Sequence, residues 1–162
     1  MNAQTLVIET TSTEETRELG ARLAPLLTPG DVLALVGDLG SGKTTFTQGL
    51  ARALGVTSPV TSPTFVLINR YRGAGGISLH HADCYRLNHA RAEMLDAGLA
   101  DLFSGDDIVL VEWADRLAGL LPEDAIWIAF TYLADDRRRI AISGGRRAAA
   151  VAGELTARGG AP

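Results

Sequence analysis

The sequence predicts a single α/β domain with a mostly parallel central sheet, flanked by helices and extended by antiparallel hairpins. Two unbroken apolar segments, Val32–Val36 and residues 108–111, are typical of parallel strands that are covered on both faces. Segments with helical spacing of apolar residues alternate with strand-like segments, which is the pattern of an α/β fold. The chain has 162 residues, which suits one compact domain.

The domain is expected to span residues 1–145, followed by a C-terminal tail at residues 146–162. The tail is rich in alanine, glycine and arginine, and we expect it to be either a loose helix near residues 148–155 or a frayed end. No internal repeat divides the chain further.

The composition narrows the functional classes. Charged residues make up 21% and apolar residues 46% of the chain, as in ordinary globular proteins. A single cysteine, Cys84, excludes an internal disulfide framework and a cysteine-rich zinc site, and it fits a cytoplasmic location. We see no signal peptide and no apolar segment long enough to span a membrane. The net charge of −4 argues against unaided binding of nucleic acid, which usually requires a basic face.

The first elements are a strand and an amphipathic helix. Residues 5–9 have strand character, and Ser12 with Glu15 forms the spacing of a capping box, with Ser12 as the N-cap. Pro25 and Pro29 end the helix. Its apolar stripe consists of Leu19, Leu23 and Leu26.

A glycine-rich loop follows the first buried strand and precedes a helix. Its sequence, GDLGSGKT, matches the pattern GxxxxGK[ST] in full. Glycines let backbone N–H groups curl around phosphate oxygens at the start of a helix. The sequence therefore predicts a P-loop NTPase-like domain that binds a nucleoside triphosphate with Mg²⁺. The loop residues are Gly37, Asp38, Leu39, Gly40, Ser41, Gly42, Lys43 and Thr44.

Three side chains at the end of this loop have distinct expected contacts. Lys43 is expected to reach the β- and γ-phosphates, and the Thr44 hydroxyl is expected to bind Mg²⁺. Thr45 is placed to donate a hydrogen bond to the α-phosphate. The helix that follows has apolar residues at helical spacing and ends at Gly55.

The remaining chain alternates strands and helical segments. Residues 64–71 and 77–81 flank a glycine-rich turn and predict a hairpin, and residues 90–103 have mixed helical character. Residues 125–132 and 138–143 predict two late strands.

Two acidic residues complete the predicted site. Glu112 ends the second apolar strand, which is the Walker B pattern and places a carboxylate beside the metal. Asp83 lies in the segment HHADCYR, where a carboxylate can orient the attacking water or join the outer coordination of the metal. We interpret His80 and His81 as structural strand-end histidines, because adjacent residues point in different directions and no ligand cluster accompanies them.

Three further features have two interpretations each. Arg86 either stabilises phosphoryl charge or pairs with an acid. Residues 62–65 form either a loop that senses the γ-phosphate or an ordinary strand entry. Trp113 packs either on the nucleotide site or in the core.

These motifs together resemble the TsaE (YjeE) family of small P-loop ATPases. The resemblance rests on GDLGSGKTTF, SPTF, HADCYRL and VEW, which occur in the family's order over much of the chain. Two positions depart from the family pattern, which usually has leucine at Cys84 and often an aromatic residue at Ala82. Neither departure affects Asp83, Tyr85 or Arg86.

The resemblance implies an Mg²⁺-dependent ATPase of low intrinsic activity that supports threonylcarbamoyladenosine (t6A) formation in tRNA. Its expected partners are TsaB and TsaD, of which TsaD performs the transfer, and tRNA is contacted only through that complex. The resemblance assigns Lys43 and Thr44 to phosphate and metal contacts, Glu112 to the metal, and Asp83 to hydrolysis. It also suggests nucleotide contacts at residues 11–13, here Thr11 and Thr13. It further suggests a late arginine, Arg137 or Arg138, of which we take Arg137.

Other functions are open at this point. Small-molecule kinases of the shikimate-kinase type share the size and the loop, although they usually carry an arginine-bearing lid where this chain has a predicted hairpin. A non-catalytic assembly subunit that binds nucleotide is a second alternative. A GTPase is less favoured, because the chain has no Asn-Lys-x-Asp motif.

Overall fold

A computed structural model of the chain describes residues 6–63 and 67–159. The strands are β1 (Leu6–Thr10), β2 (Val32–Val36), β3 (Ile68–Arg72), β4 (Ser78–Asp83), β5 (Ile108–Glu112), β6 (Ile126–Ala134) and β7 (Arg137–Gly144). The helices are α1 (Thr13–Leu23), α2 (Lys43–Ala53), α3 (Ala90–Asp96), α4 (Leu99–Phe103) and α5 (Arg146–Gly159).

All seven strands form one mixed sheet in the order β1-β7-β6-β2-β5-β4-β3. The four central strands β6, β2, β5 and β4 run parallel to one another. The outer strands β1, β7 and β3 each pair antiparallel with a neighbour. This arrangement confirms the predicted α/β fold with a parallel centre and antiparallel additions, including the hairpin of β3 and β4.

Helices cover both faces of the sheet. One core cluster joins α1, α2 and α5 to the face that carries Leu33 and Leu110, and the other joins α3 and α4 to the face that carries Val109 and Val111. The alternation along β5 follows from the strand geometry, in which successive side chains point to opposite faces. Both faces are therefore buried, as the apolar strand segments predict. In the described ranges, no helix combines the length and the apolar character that crossing a membrane requires.

The predicted N-cap of α1 is confirmed, but the capping box is displaced by one residue. The Ser12 hydroxyl accepts a hydrogen bond from the Glu15 N–H at 3.1 Å. The Glu15 carboxylate does not bind the backbone N–H of Ser12, as it would in a capping box. It accepts hydrogen bonds from the backbone N–H of Thr11 at 2.6 Å and from the Thr11 hydroxyl at 2.9 Å. These bonds hold the pKa of the Glu15 carboxyl below its ordinary value.

The other boundaries follow from glycine positions and from chain pairing. Gly55 has φ of 90° and forms the predicted end of α2, where the Val56 N–H reaches the Ala51 carbonyl at 3.0 Å in a Schellman motif. Gly98, with φ of 89°, divides the predicted helical segment at residues 90–103 into α3 and α4. Strand β3 begins only at Ile68; Leu67 precedes it in a bend, and residues 64–66 of the predicted strand lie outside the described part of the chain.

Helix α5 is fixed to the domain by a partly buried ion pair and an apolar stripe. The guanidinium of Arg147 donates to both carboxylate oxygens of Asp31 at 2.8 Å and to the Leu26 carbonyl at 2.6 Å. The side chains of Val151 and Leu155 are buried against the sheet. The alanine-rich segment after β7 is therefore an ordered helix as far as Gly159.

Two glycines allow α1 and α2 to pack at backbone contact. A Cβ atom on Gly49 would overlap the carbonyl oxygen of Arg17, and one on Gly20 would overlap the carbonyl oxygen of Phe46. We expect Gly49→Ala to lower the free energy of unfolding by about 2 kcal/mol, because the overlap costs more than the roughly 1 kcal/mol that alanine gains in helix propensity. Chemical denaturation measures this change.

Gly153→Ala is the matched control for this prediction. Gly153 also lies within a helix, α5, but among the described residues no heavy atom beyond its own stretch of helix lies within 4 Å of the place that its Cβ would take. Alanine there should leave stability unchanged or raise it by up to about 1 kcal/mol. Equal unfolding free energies for the Gly49→Ala and Gly153→Ala variants would contradict the backbone contact between α1 and α2.

Candidate nucleotide-binding site

The loop between β2 and α2 depends on glycine at three positions. Gly37, Gly40 and Gly42 have φ angles of 147°, 74° and 109°, which side-chain-bearing residues rarely adopt. A Cβ on Gly37 would also lie 2.6 Å from the carbonyl oxygen of Phe130. Helix α2 begins at Lys43, so its first N–H groups, which have no partner within the helix, lie at the loop. The loop is thus built as an anion cradle at a helix N-terminus.

This loop forms one wall of a cleft of about 390 Å³ at the carboxyl ends of the parallel strands. In open α/β sheets, ligands bind at this edge. The cleft brings together most of the predicted site: residues 39–45 of the loop with Asp83 and Glu112 from the ends of β4 and β5. Ser62 and Pro63 also line it, whereas residues 64–66 of the SPTF segment lie outside the described residues.

The Lys43 ammonium lies at the base of the cleft. It donates to the carbonyl oxygen of Asp38 at 2.9 Å and lies 4.5 Å from the centre of the Trp113 ring. Burial lowers the pKa of this ammonium, while the carboxylates of Glu112 and Asp83 oppose that shift. The geometry keeps a positive charge beside the loop, where an anionic ligand would lie.

Thr44 and Glu112 form the pair of oxygens that fits a metal ion. The Thr44 hydroxyl lies 3.3 Å from Glu112 Oε1 and 3.3 Å from the Ser62 hydroxyl. Neighbouring oxygen ligands of an octahedral Mg²⁺ lie about 3 Å apart, so the first distance suits such an ion. Within the described residues, no cluster of three or more His, Cys, Asp or Glu residues forms a metal cage. Mg²⁺ in nucleotide sites does not need one, because phosphates and waters supply most of its ligands.

The second oxygen of Glu112 is held from behind by a histidine. His81 Nε2 lies 2.6 Å from Glu112 Oε2, and both side chains are almost completely buried. His80 points to the opposite face, where its Nε2 pairs with Asp107 at 2.8 Å. His80 and His81 thus each have a carboxylate partner at an end of β5, and of these two it is His81 that contacts a predicted site residue.

Asp83 faces Glu112 across the β4–β5 pair, where the two residues are register partners. Its Oδ1 accepts the backbone N–H of Tyr85 at 2.9 Å. Burial raises the pKa of the Asp83 carboxyl above its ordinary value, and the charge of Glu112 raises it further, against the opposing effect of the Tyr85 N–H. A half-buried carboxylate with a raised pKa beside a phosphate cradle is suited to orient or activate water.

An aromatic pair borders Asp83. The rings of Tyr85 and Trp113 lie 4.9 Å apart, and both residues line the cleft together with Arg86. Trp113 is half-buried and has φ of 58°, which turns the chain directly after Glu112. Of the two interpretations of Trp113, the structure favours packing at the site.

The structure places Arg138, rather than Arg137, at the cleft. The Arg138 guanidinium donates to the Gly40 carbonyl at 3.1 Å, whereas Arg137 pairs with Glu9 at 3.2 Å on the exposed sheet surface. Successive side chains of a strand point to opposite faces, so only one of the two reaches the loop. The choice of Arg137 as the nucleotide contact therefore lacks geometric support, and Arg138 takes its place in our interpretation.

Thr11 and Thr13, which are predicted to contact the nucleotide, lie outside the cleft. Thr11 is exposed and donates to Glu15, and Thr13 is the exposed first residue of α1. Thr16, one turn further along α1, lies next to the loop, since its methyl carbon is 3.3 Å from the place that a Cβ on Gly42 would take. The start of α1 thus supports the loop, and its two predicted threonines do not line the cleft.

Cys84 follows Asp83 and is completely buried. Burial raises the pKa of its thiol to about 12. Because only the thiolate attacks disulfide reagents, we expect the native protein to react about 1,000-fold or more slowly than a free cysteine at mildly alkaline pH. Absorbance of the released thiol measures this rate, and the same chain in denaturant is the control. Equal rates in the native and denatured states would contradict the burial of Cys84.

The parallel strand order and the loop between β2 and α2 place the chain in the class of P-loop NTPase-like domains. The family model for "Threonylcarbamoyl adenosine biosynthesis protein TsaE" matches residues 10–140. The chain belongs to the TsaE family.

Similar proteins cover most of the chain. The tRNA threonylcarbamoyladenosine biosynthesis protein TsaE of Bacillus subtilis is 44% identical over 131 residues, which are 81% of this chain and 80% of that protein. The protein of the same name from Streptomyces coelicolor is 43% identical over 133 residues, or 79% of this chain and 89% of that protein. The crystal structure of YdiB from Bacillus subtilis aligns with a TM-score of 0.81 and 34% identity, over 99% of both chains.

Proposed function

We propose that this protein is an Mg²⁺-dependent ATPase that supports t6A formation in tRNA by acting on a TsaB–TsaD transferase complex. One observation carries the proposal: the cleft holds the Lys43 ammonium and the Thr44–Glu112 oxygen pair beside a glycine loop at a helix start. Membership of the TsaE family supports the pathway, because relatives from several bacteria carry the name of tRNA threonylcarbamoyladenosine biosynthesis.

The loop and Lys43 are suited to hold the triphosphate. Backbone N–H groups at the start of α2 donate to phosphate oxygens, and Lys43 adds a full positive charge near the terminal phosphates. Arg138 lies at the other side of the loop, with its guanidinium at Gly40, and adds a second positive charge. Thr44 and Glu112 are the residues that would hold Mg²⁺, which neutralises charge on the β- and γ-phosphates.

Hydrolysis requires a group that orients water toward the γ-phosphate. Asp83 is suited to this role, because its Oδ1 is fixed by the Tyr85 N–H while the carboxyl group lines the cleft beside Glu112. A carboxylate with a raised pKa accepts a proton more readily than an ordinary aspartate at neutral pH.

The raised pKa of Asp83 predicts a pH dependence for hydrolysis. The carboxyl group must be ionised to accept a proton from the attacking water, so the rate should fall as the pH decreases through the pKa of Asp83. Because that pKa is raised, the fall should begin at a higher pH than for an ordinary aspartate. Steady-state hydrolysis across a pH series measures it. A rate that stays constant down to the ordinary aspartate range would contradict this role.

The acidic net charge supports an indirect contact with tRNA. A chain with a net charge of −4 lacks the excess of basic residues that usually neutralises phosphates, so the partner subunits are expected to hold the tRNA.

Association with the transferase tests the proposal. The chain should co-elute with TsaB and TsaD in gel filtration when ATP and Mg²⁺ are present, and ATP hydrolysis should be faster in that complex than in the isolated chain. Elution as a separate peak under several salt conditions would contradict the partner assignment. Transfer of radiolabelled phosphate from ATP to a small acceptor, rather than to water, would instead indicate a kinase.

A further inference from the structure

The buried histidine behind Glu112 has an unusual hydrogen-bonding state. His81 is completely buried on β4, and its Nε2 lies 2.6 Å from Glu112 Oε2. Its other ring nitrogen, Nδ1, is buried without a hydrogen-bond partner among the described residues. Buried polar atoms are nearly always paired, and an exception calls for a functional explanation.

The position of His81 explains why its partner is Glu112. In the parallel pairing of β4 with β5, His81 lies opposite Leu110 and Asp83 lies opposite Glu112. Residues two apart on a strand share a face, so these four side chains lie on the same face of the sheet. His81 is therefore one step further into the core than Asp83, directly behind the carboxylate of Glu112.

The two oxygens of Glu112 have different partners. Oε2 lies 2.6 Å from Nε2 of the imidazole in the core, and Oε1 lies 3.3 Å from the Thr44 hydroxyl at the cleft. A carboxylate oxygen is a hydrogen-bond acceptor, and an imidazole with its hydrogen on Nε2 is the matching donor. A carboxylate held at one oxygen cannot rotate freely, and its other oxygen stays directed at Thr44.

We propose that His81 is a positioning residue that fixes the Glu112 carboxylate for metal binding through its Nε2–H donor. The proposal rests on the proposed function, in which Glu112 and Thr44 hold Mg²⁺ with ATP. A purely structural role explains the buried position less well, because an apolar side chain in this core would leave no unpaired nitrogen. Loss of a hydrogen bond behind a metal-binding carboxylate typically lowers metal affinity or activity roughly 10- to 100-fold.

A pair of amide substitutions separates positioning from packing. The glutamine amide nitrogen reaches the place of Nε2, whereas the shorter asparagine amide reaches only the place of Nδ1. His81→Gln thus keeps a donor toward Glu112. His81→Asn removes that donor, although its side chain carries the same amide group. The same two substitutions at His80, which contacts Asp107 outside the cleft, are matched controls.

Calorimetric titration with ATP in excess Mg²⁺ and in excess EDTA gives two dissociation constants. The dissociation constant in EDTA divided by that in Mg²⁺ measures the contribution of Mg²⁺ to ATP binding. We expect His81→Asn to lower this ratio roughly 10- to 100-fold. The dissociation constant measured in EDTA should change little. The His81→Gln and both His80 variants should stay near the wild-type ratio. Equal ratios for His81→Asn and His81→Gln would overturn the proposal. A wild-type protein without any Mg²⁺ effect would contradict the proposed function itself.

The wild-type protein allows a test that does not depend on the folding of a variant. Long-range ¹H–¹⁵N spectra identify which nitrogen of an imidazole carries hydrogen. A hydrogen on Nε2 of His81 supports the proposal. An imidazole with hydrogen on Nδ1 alone cannot donate to Glu112 and would overturn it.

Discussion

Replacement of Lys43 by alanine is expected to weaken ATP binding about 100- to 10,000-fold. The Lys43 ammonium lies beside the loop in the cleft, 2.9 Å from the Asp38 carbonyl oxygen and 4.5 Å from the centre of the Trp113 ring. Each hydrogen bond from a charged group contributes about 1.5–3 kcal/mol, and contacts to two phosphates add to roughly a 100-fold effect or more. Calorimetric titration of the variant with ATP and Mg²⁺ measures the loss.

Arg52→Ala is the control for this result. Arg52 is an exposed cation on the same helix, α2, at the end remote from the loop, so its removal changes charge without changing the cradle. It should leave ATP affinity near the wild-type value. If Lys43→Ala retained wild-type affinity in a folded protein, the assignment of the loop as a triphosphate site would be wrong.

Replacement of Asp83 by asparagine is expected to retain ATP binding and to lower turnover roughly 100- to 10,000-fold, the range typical of a lost acid–base group. The amide oxygen still accepts the Tyr85 N–H, so the local backbone is preserved, but the charge that orients water is gone. The hydrolysis rate of the variant in the presence of TsaB and TsaD measures the effect.

Asp107→Asn is the corresponding control, because Asp107 precedes the opposite end of β5 and pairs with His80 outside the cleft. Its hydrolysis rate should equal that of the wild type. Wild-type turnover in the Asp83→Asn protein would restrict Asp83 to a structural role at the end of β4.

Local sequence patterns predict much of the fold because their physical causes are local. The buried strand β2, the glycine loop and helix α2 are adjacent in sequence, and each depends on residue types that a motif records. The same holds for Glu112, since an acid at the end of an apolar run lies at the sheet edge regardless of the neighbouring strand. Gly55 ends α2 as predicted because a left-handed residue at that point favours glycine.

Contacts between distant segments are harder to predict, because they depend on strand order and register. The pairing of Asp83 with Glu112 requires β4 to lie next to β5, and the hydrogen bond from His81 follows from the same register. The sequence alone suggests only a strand-end histidine. Similarly, which of Arg137 and Arg138 points to the loop depends on which residues of β7 face each side of the sheet. A loose motif does not determine this orientation.

Glycine at positions 20 and 49 shows a second limit of sequence patterns. Both residues lie inside helices, where glycine is unfavourable, and no turn or loop motif explains them. The explanation is the backbone contact between α1 and α2, which only a three-dimensional arrangement reveals. This contact also holds the start of α1 near the loop.

The most direct test of the proposed function is a reconstituted tRNA modification with purified TsaB, TsaD, tRNA, ATP and the other substrates. The amount of t6A formed per transferase complex is measured over time, with and without this chain. We expect repeated turnover only when the chain is present, and its loss with the Lys43→Ala protein. An equal time course without the chain would mean that the protein does not support t6A formation.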